Sequence, residues 1–367
     1  MSSLASVSSI KQEQTPQLPV SWYTDPEIYK IEQQLLENSP RYVGHQLMAP
    51  NPGDFYTLDW MDKAKALIHN QHGIDLTSNI CRHRQALMLD GKGHTQHIVC
   101  PLHRWTYNLN GELLGAPHFE SNPCLHLSKT QLQNWNGLLF DSKRDIANDL
   151  AKLGCKHDLD FTGYLLNRVA IEEYNFNWKT FIEVYLEDYH VGPFHPGLDK
   201  FVDCEDLRWE FGEHYSVQTV GIKNALEKSG SPIYQKWQSQ VRQYQNNQVP
   251  KYGAIWMVYY PYLMVEWYPN VLVVSHIIPR GVNACTNVVE FYYPEDIALF
   301  EKEYFEAQQA AYEETAIEDK EICQRMHDGR RALYKQGLDE RGPYQHPMET
   351  GLEHFHIWIR KQLASHL

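Results

Sequence analysis

Several things are missing from this sequence, and each absence removes a class of function. No run of eighteen apolar residues occurs anywhere, so a membrane-spanning helix is not expected. No basic segment leads into an apolar one near the start, so export is not expected and the cytoplasm is the expected compartment. Lys and Arg form no cluster in a chain of formal net charge −13, which argues against a phosphate backbone as partner. Cysteine is sparse, odd in number at seven and scattered, a pattern of reduced thiols rather than a disulfide framework. No G-x-G-x-x-G leads into a helix, so the chain is not expected to bind a dinucleotide itself.

What is present belongs to an ordinary globular protein. The 367 residues are 43% apolar and 22% charged, enough for two or three units with real cores. Residues 1–19 are rich in Ser, Gln and Pro and read as a disordered tail. Residues 20–40 are expected to form a helical segment packed on the larger domain. Over 41–150, short apolar stretches such as Ala86–Leu89 and His97–Val99 are punctuated by Gly91, Gly93, Gly111 and Gly115, which predicts a small β-rich domain of hairpins. Residues 151–367 form a second domain with a different texture. There Trp178, Phe181, Ile182, Tyr185, Leu186 and Tyr189 recur at helical steps. Tyr252–Pro279 reads as antiparallel strands broken at Pro261 and Pro269, and 295–335 as one long helix or a pair. The fold class is therefore α+β.

Cys81, His83, Cys100 and His103 form C-x-H, sixteen intervening residues, then C-x-x-H. Two thiolates and two imidazoles are a full ligand set for a [2Fe-2S] centre in which His replaces Cys on one iron. Cys2His2 zinc is the competing assignment, but zinc fingers pair Cys with Cys and His with His, whereas each half here supplies one of each.

A second constellation follows the helix opened by Asn177-Trp178-Lys179. Continued through Glu187 and His190, it puts Glu183, Glu187 and His190 on one face before Gly192 and Pro193 break it. His195 then returns from a new direction. Two His and one carboxylate leave open positions on Fe(II) for O2. Spacing alone cannot choose the carboxylate among Glu313, Glu314, Glu318, Asp319 and Glu321, most of which belong to a solvated helix face.

With Pro101 and Trp105 in the second cluster loop, the sequence resembles the Rieske non-haem iron oxygenases. Gln85 departs from the pattern, standing where many members have Gly. The resemblance selects Asp319 as third iron ligand, with Glu318 as alternative. It gives Glu187 the role of the acid bridging the two metal centres across subunits, His103 of one and His190 of the next, although most members use Asp and Asp188 competes. It further implies a helix-grip catalytic domain, an antiparallel sheet flanked by helices, and a homotrimer.

O2 activation needs two electrons beyond those of the substrate, one from the mononuclear iron and one from the cluster. His ligation sets the cluster potential between about −150 and +300 mV, within reach of a separate NAD(P)H-dependent flavin or ferredoxin reductase. The expected function is a terminal oxygenase that hydroxylates or oxidatively demethylates a small organic substrate. The ending Gly351-Leu352-Glu353-His354-Phe355-His356 and the acid at Glu187 resemble the branch acting on choline, carnitine and glycine betaine. Trp256, Tyr259, Tyr260, Tyr262, Trp267 and Tyr268 are candidates for an aromatic cation cage, of which alternation lets about half face one pocket. A ring-hydroxylating dioxygenase, a Rieske electron carrier without mononuclear iron and a zinc-binding interaction protein are the alternatives.

Overall fold

The computed structural model describes residues 16–364. Most of the tail expected over 1–19 lies outside the described residues, and 16–19 carry no regular structure. Pro26–Asn38 is a helix, started by Asp25, whose side chain accepts from the Glu27 N–H, and by Pro26 in the first turn, where its missing N–H costs nothing. Its Ile28, Ile31 and Leu35 pack on the core that contains Trp178 and Phe355. A fully buried ion pair, Lys179 Nζ to Glu32 at 2.7 Å, ties it to the helix Trp178–Tyr185.

Residues 41–141 carry small antiparallel sheets. One has Leu138–Asp141 between Arg41–His45 and Gln133–Trp135; a five-stranded sheet is centred on Lys65–Asn70; a third joins Ile98–Val99, Thr106–Tyr107 and Leu113–Gly115. The apolar stretch Ala86–Leu89 is no strand and makes only an isolated bridge, Ile80 to Leu87. The Asn79 side chain occupies the backbone there, donating to the Leu89 carbonyl and accepting from its N–H, each at 2.8 Å.

The second half is built on a seven-stranded antiparallel sheet. Its order is Tyr164–Tyr174, Ala284–Pro294, Val271–Gly281, Leu263–Tyr268, Ala254–Tyr259, Tyr215–Ile222, Val202–Phe211. The expected strands over 252–279 are the central three, with Pro261 and Pro269 in the turns. Alternation splits the sheet's side chains. Met257, Tyr259, Val265, Val274 and Tyr292 pack on the small β-domain through Tyr42, Trp135 and Phe140. Trp256, Tyr268, Val273 and Phe291 face helices, among them Pro232–Tyr244 and Lys302–Lys335. The 295–335 region is a pair, Glu295–Phe300 and Lys302–Lys335.

One helix is shorter than its periodicity suggests. The Asn177 side chain caps it as expected, accepting from the Lys179 N–H, but it ends at Tyr185. The Asp188 N–H instead bonds the Met348 carbonyl, so Glu183, Glu187 and His190 do not share a helical face. Glu183 is buried in a separate network with Tyr23, Arg330 and His356. Gly192 and Pro193 do not break a helix; they lie inside the single turn Val191–Phe194, where first-turn N–H groups need no partner.

Candidate active site

The two cluster loops fold alike. The Gln85 N–H bonds the Cys81 carbonyl and the Arg104 N–H the Cys100 carbonyl, both at 3.1 Å, and both residues are left-handed, φ 56° and 61°. Gln85 thus adopts the conformation that Gly would supply more cheaply, and the first loop keeps its path. The Cys81 and Cys100 N–H groups close the same turns onto Ala86 and Trp105. Both thiols are buried and within hydrogen-bonding reach of each other, and burial pushes the Cys100 thiol up. The His83 and His103 rings lie 4.7 Å apart, with His83 stacked on Trp105 at 5.0 Å. His83 Nδ1 is buried without a partner among the described residues, while His103 is exposed. Two thiols, two imidazoles and an orphaned ring nitrogen fit a [2Fe-2S] centre.

In the second half, the Val191–Phe194 turn carries His190 and His195 at its ends, their rings 4.9 Å apart. Asp319, from the long helix, places Oδ1 3.0 Å from His195 Nε2 and 3.5 Å from His190 Nε2. One atom from each of these three residues lies within 4.8 Å of the others. The outer ring nitrogens are held by different acids, His190 Nδ1 by Glu187 at 2.6 Å and His195 Nδ1 by Glu318 at 2.7 Å. Burial would lower His190, but Asp319 and Glu187 raise it to about 10. Burial would raise Asp319, but the two imidazoles hold it at about 2. Such a site is made for positive charge, and its donors fit the two-His, one-carboxylate iron triad. Glu318, weighed as the alternative ligand, stands behind His195 instead, where a carboxylate fixes the ring.

Beside these residues lies a cavity of about 370 Å³ between the sheet and the helices. Of the six aromatic cage candidates only Trp256 and Tyr268 line it. Tyr259 and Trp267 point to the other face, and Tyr260 and Tyr262 pack into the helical core. Four lining residues have buried oxygens without partners among the described residues: Asp188 Oδ2, Gln218 Oε1, Asn287 Oδ1 and the Tyr185 hydroxyl. The Gln218 assignment is fixed by its amide, which donates to the Tyr185 carbonyl at 2.8 Å. Burial and then Glu187 raise Asp188 to about 7. Glu266 also lines the cavity, accepting from Tyr268 and Tyr312. Reading from sequence missed it; the available signal was that it is the one acid in the 252–279 segment.

Residues 41–134 match the Rieske [2Fe-2S] domain and residues 156–365 the ring hydroxylating alpha subunit (catalytic domain). The chain belongs to the Rieske ring-hydroxylating oxygenase alpha-subunit family. It is therefore an oxygenase that acts on a small substrate with O2, and its cofactors are a [2Fe-2S] cluster and a mononuclear iron. It is 59% identical to a putrescine 2-hydroxylase of Ralstonia nicotianae, over 98% of this chain and 99% of that one. A putrescine 2-hydroxylase of Bordetella bronchiseptica is 51% identical, over 95% and 85%. A quaternary ammonium Rieske monooxygenase, described for carnitine oxidation and inter-subunit electron transfer, shares the fold, with TM-score 0.74 at 18% identity over 97% and 96%. Among the described residues no helix is long and apolar enough to cross a membrane.

Proposed function

We propose that this protein hydroxylates a short aliphatic primary diamine of the putrescine type. The observation that carries this reading is the polarity of the cavity. Its orphaned buried groups are mostly acceptors, a carboxylate oxygen, two amide oxygens and the Tyr185 hydroxyl, which can also donate, beside one pure donor, the Trp237 indole N–H. A primary ammonium brings three N–H donors and no acceptor, whereas a quaternary ammonium brings none and would leave these oxygens unpaired. The substrate thus shifts from the quaternary amines expected from sequence toward a primary amine, in keeping with the names of the two relatives above.

Cys81, His83, Cys100 and His103 would hold the cluster, and His190, His195 and Asp319 the iron. When bound, the two centres supply the electrons and the O2 activation. Glu187 and Glu318 keep the His190 and His195 rings oriented with Nε2 inward, through their Nδ1 bonds of 2.6 and 2.7 Å. In the assembled homotrimer Glu187 would also reach the partner subunit's His103. Residues 41–150 form the cluster domain and 151–367 the catalytic one, with 20–40 packed on the latter. Electrons come from a separate NAD(P)H-dependent reductase in the cytoplasm, a setting that suits seven free thiols.

The test is NADH-driven turnover with a surrogate reductase, reading products by mass. Putrescine gains one oxygen atom if the reading is right. Turnover of carnitine or choline with putrescine left intact would overturn it.

A further inference from the structure

We propose that the Glu266 carboxylate is the receptor for one terminal ammonium of the substrate and so determines selectivity for diamines over monoamines. This rests on the diamine reading above but names a residue that the iron chemistry does not require.

The sheet register places Glu266 where a charge is expensive. Gln218, Trp256, Glu266, Val273 and Phe291 stand directly opposite one another on five neighbouring strands and so share one face. Glu266 is the single charged member of this row and is 2% exposed. Two other buried acids have a cation beside them, Glu32 with Lys179 and Glu183 with Arg330, and Glu290, which has phenols alone, lies on the covered face away from the cavity. Glu266 has only phenols, Tyr268 Oη at 2.7 Å on one oxygen and Tyr312 Oη at 3.0 Å on the other. The Trp256 indole N–H donates to the Tyr268 oxygen at 2.8 Å, which turns the Tyr268 hydrogen onto Glu266. Two bonds use about half of a carboxylate's acceptor capacity. The rest is available on the cavity side.

The surroundings suit an alkylammonium. The Tyr185 hydroxyl, pushed well up by burial and then by the Glu266 charge, has no partner among the described residues. Gln218 Oε1 is a second free acceptor in the same row. Trp256, Tyr268 and Trp237 are apolar walls for methylene groups. Burial raises the Glu266 carboxyl to about 7, and no nearby cation opposes it. An arriving ammonium would supply the missing counter-charge.

The experiment is calorimetric binding of putrescine and butylamine, equal in chain length, to iron-loaded wild type, Glu266→Gln and Glu266→Asp. Wild type should prefer putrescine by roughly ten- to a hundredfold, the scale of one hydrogen-bonded charge. Glu266→Gln should bring the ratio near one, and Glu266→Asp should restore part of it. An unchanged ratio in Glu266→Gln overturns the proposal, because loss of general stability would weaken both ligands alike. Should Glu266→Gln fail to fold, Glu266→Asp carries the test: a putrescine preference reduced severalfold supports the receptor, and an unchanged preference overturns it. A protein that binds putrescine through Glu266 without oxidising it would overturn the assigned reaction and uphold the receptor.

Discussion

Glu266 and Glu290 sit on opposite faces of one sheet, alike in burial and in phenol partners but unlike in what lies beyond them. Each is at most 2% exposed, each accepts from two tyrosines, and burial raises each to about 7. Glu290 takes both phenols on Oε2, from Tyr42 and Tyr292, and its Oε1 has no partner among the described residues. Tyr42 comes from the strand Arg41–His45, so Glu290 fastens the small β-domain to the sheet. Glu266 faces the cavity instead. Burial and a displaced pKa are common to both, and only access to substrate separates a binding group from a fastening. The cavity face should therefore respond to substitution mainly in function, and the covered face mainly in stability.

The largest expected effect lies on the cavity face. Asp319→Asn should lower hydroxylation by well over a hundredfold and remove about one iron per chain, because changes behind the ligands alone cost about 10- to 100-fold. Product analysis and metal content check this, with the Rieske absorption expected to persist. Glu318→Gln follows at about 10- to 100-fold, since it loosens His195 without removing a ligand. Full activity in Asp319→Asn would mean the acid is not part of the iron site.

How much of this was legible in the sequence depended on the distance over which the signal acts. The proposed cluster ligands stood out because C-x-H and C-x-x-H each complete one tight turn, and the proposed iron ligands His190 and His195 because they flank one helical turn. Asp319 needed the family resemblance, since an acidic helix offers many equivalent candidates. The early end of the Trp178–Tyr185 helix was hidden because Tyr189 continues the apolar period although the residue is 58% exposed. A contact from Met348, far along the chain, decides that end. Glu266 was invisible as a site for the same reason. Strand alternation says which residues share a face but not which face holds the cavity, and Tyr312 reaches it from a helix 46 residues later in the chain.

The two buried acids should also separate in pH dependence. A carboxyl raised from 4.5 to about 7 keeps its proton longer in the folded state, so stability is highest below about 4.5, falls as pH rises toward 7, and stays low above it. Each contributes on the order of 3 kcal/mol to that fall. The groups around Glu266 are Tyr268, Tyr312, Tyr185 and Asp319; those around Glu290 are Tyr42, Tyr292 and Tyr56. Glu290→Gln should flatten the thermal midpoint between pH 5 and 8 whether or not putrescine is present. Glu266→Gln should flatten it only in the absence of putrescine, because the bound ammonium already offsets the charge in wild type. Identical profiles for the two variants with putrescine would erase the distinction between the faces.

The smallest effect is expected at the cavity rim. Arg168 pairs with Glu313 at 2.6 Å, but the side chains are 44% and 52% exposed. Such pairs contribute roughly 0 to 1 kcal/mol, so Glu313→Gln should change kcat/KM for putrescine by less than about fivefold. That change should shrink further in 1 M salt, where charges are screened beyond about 3 Å. Stopped-flow or steady-state rates at two ionic strengths are sufficient to measure it. A loss as large as that of Glu266→Gln would move discrimination from the buried seat to the mouth, because both sites offer a carboxylate and only desolvation makes one of them selective.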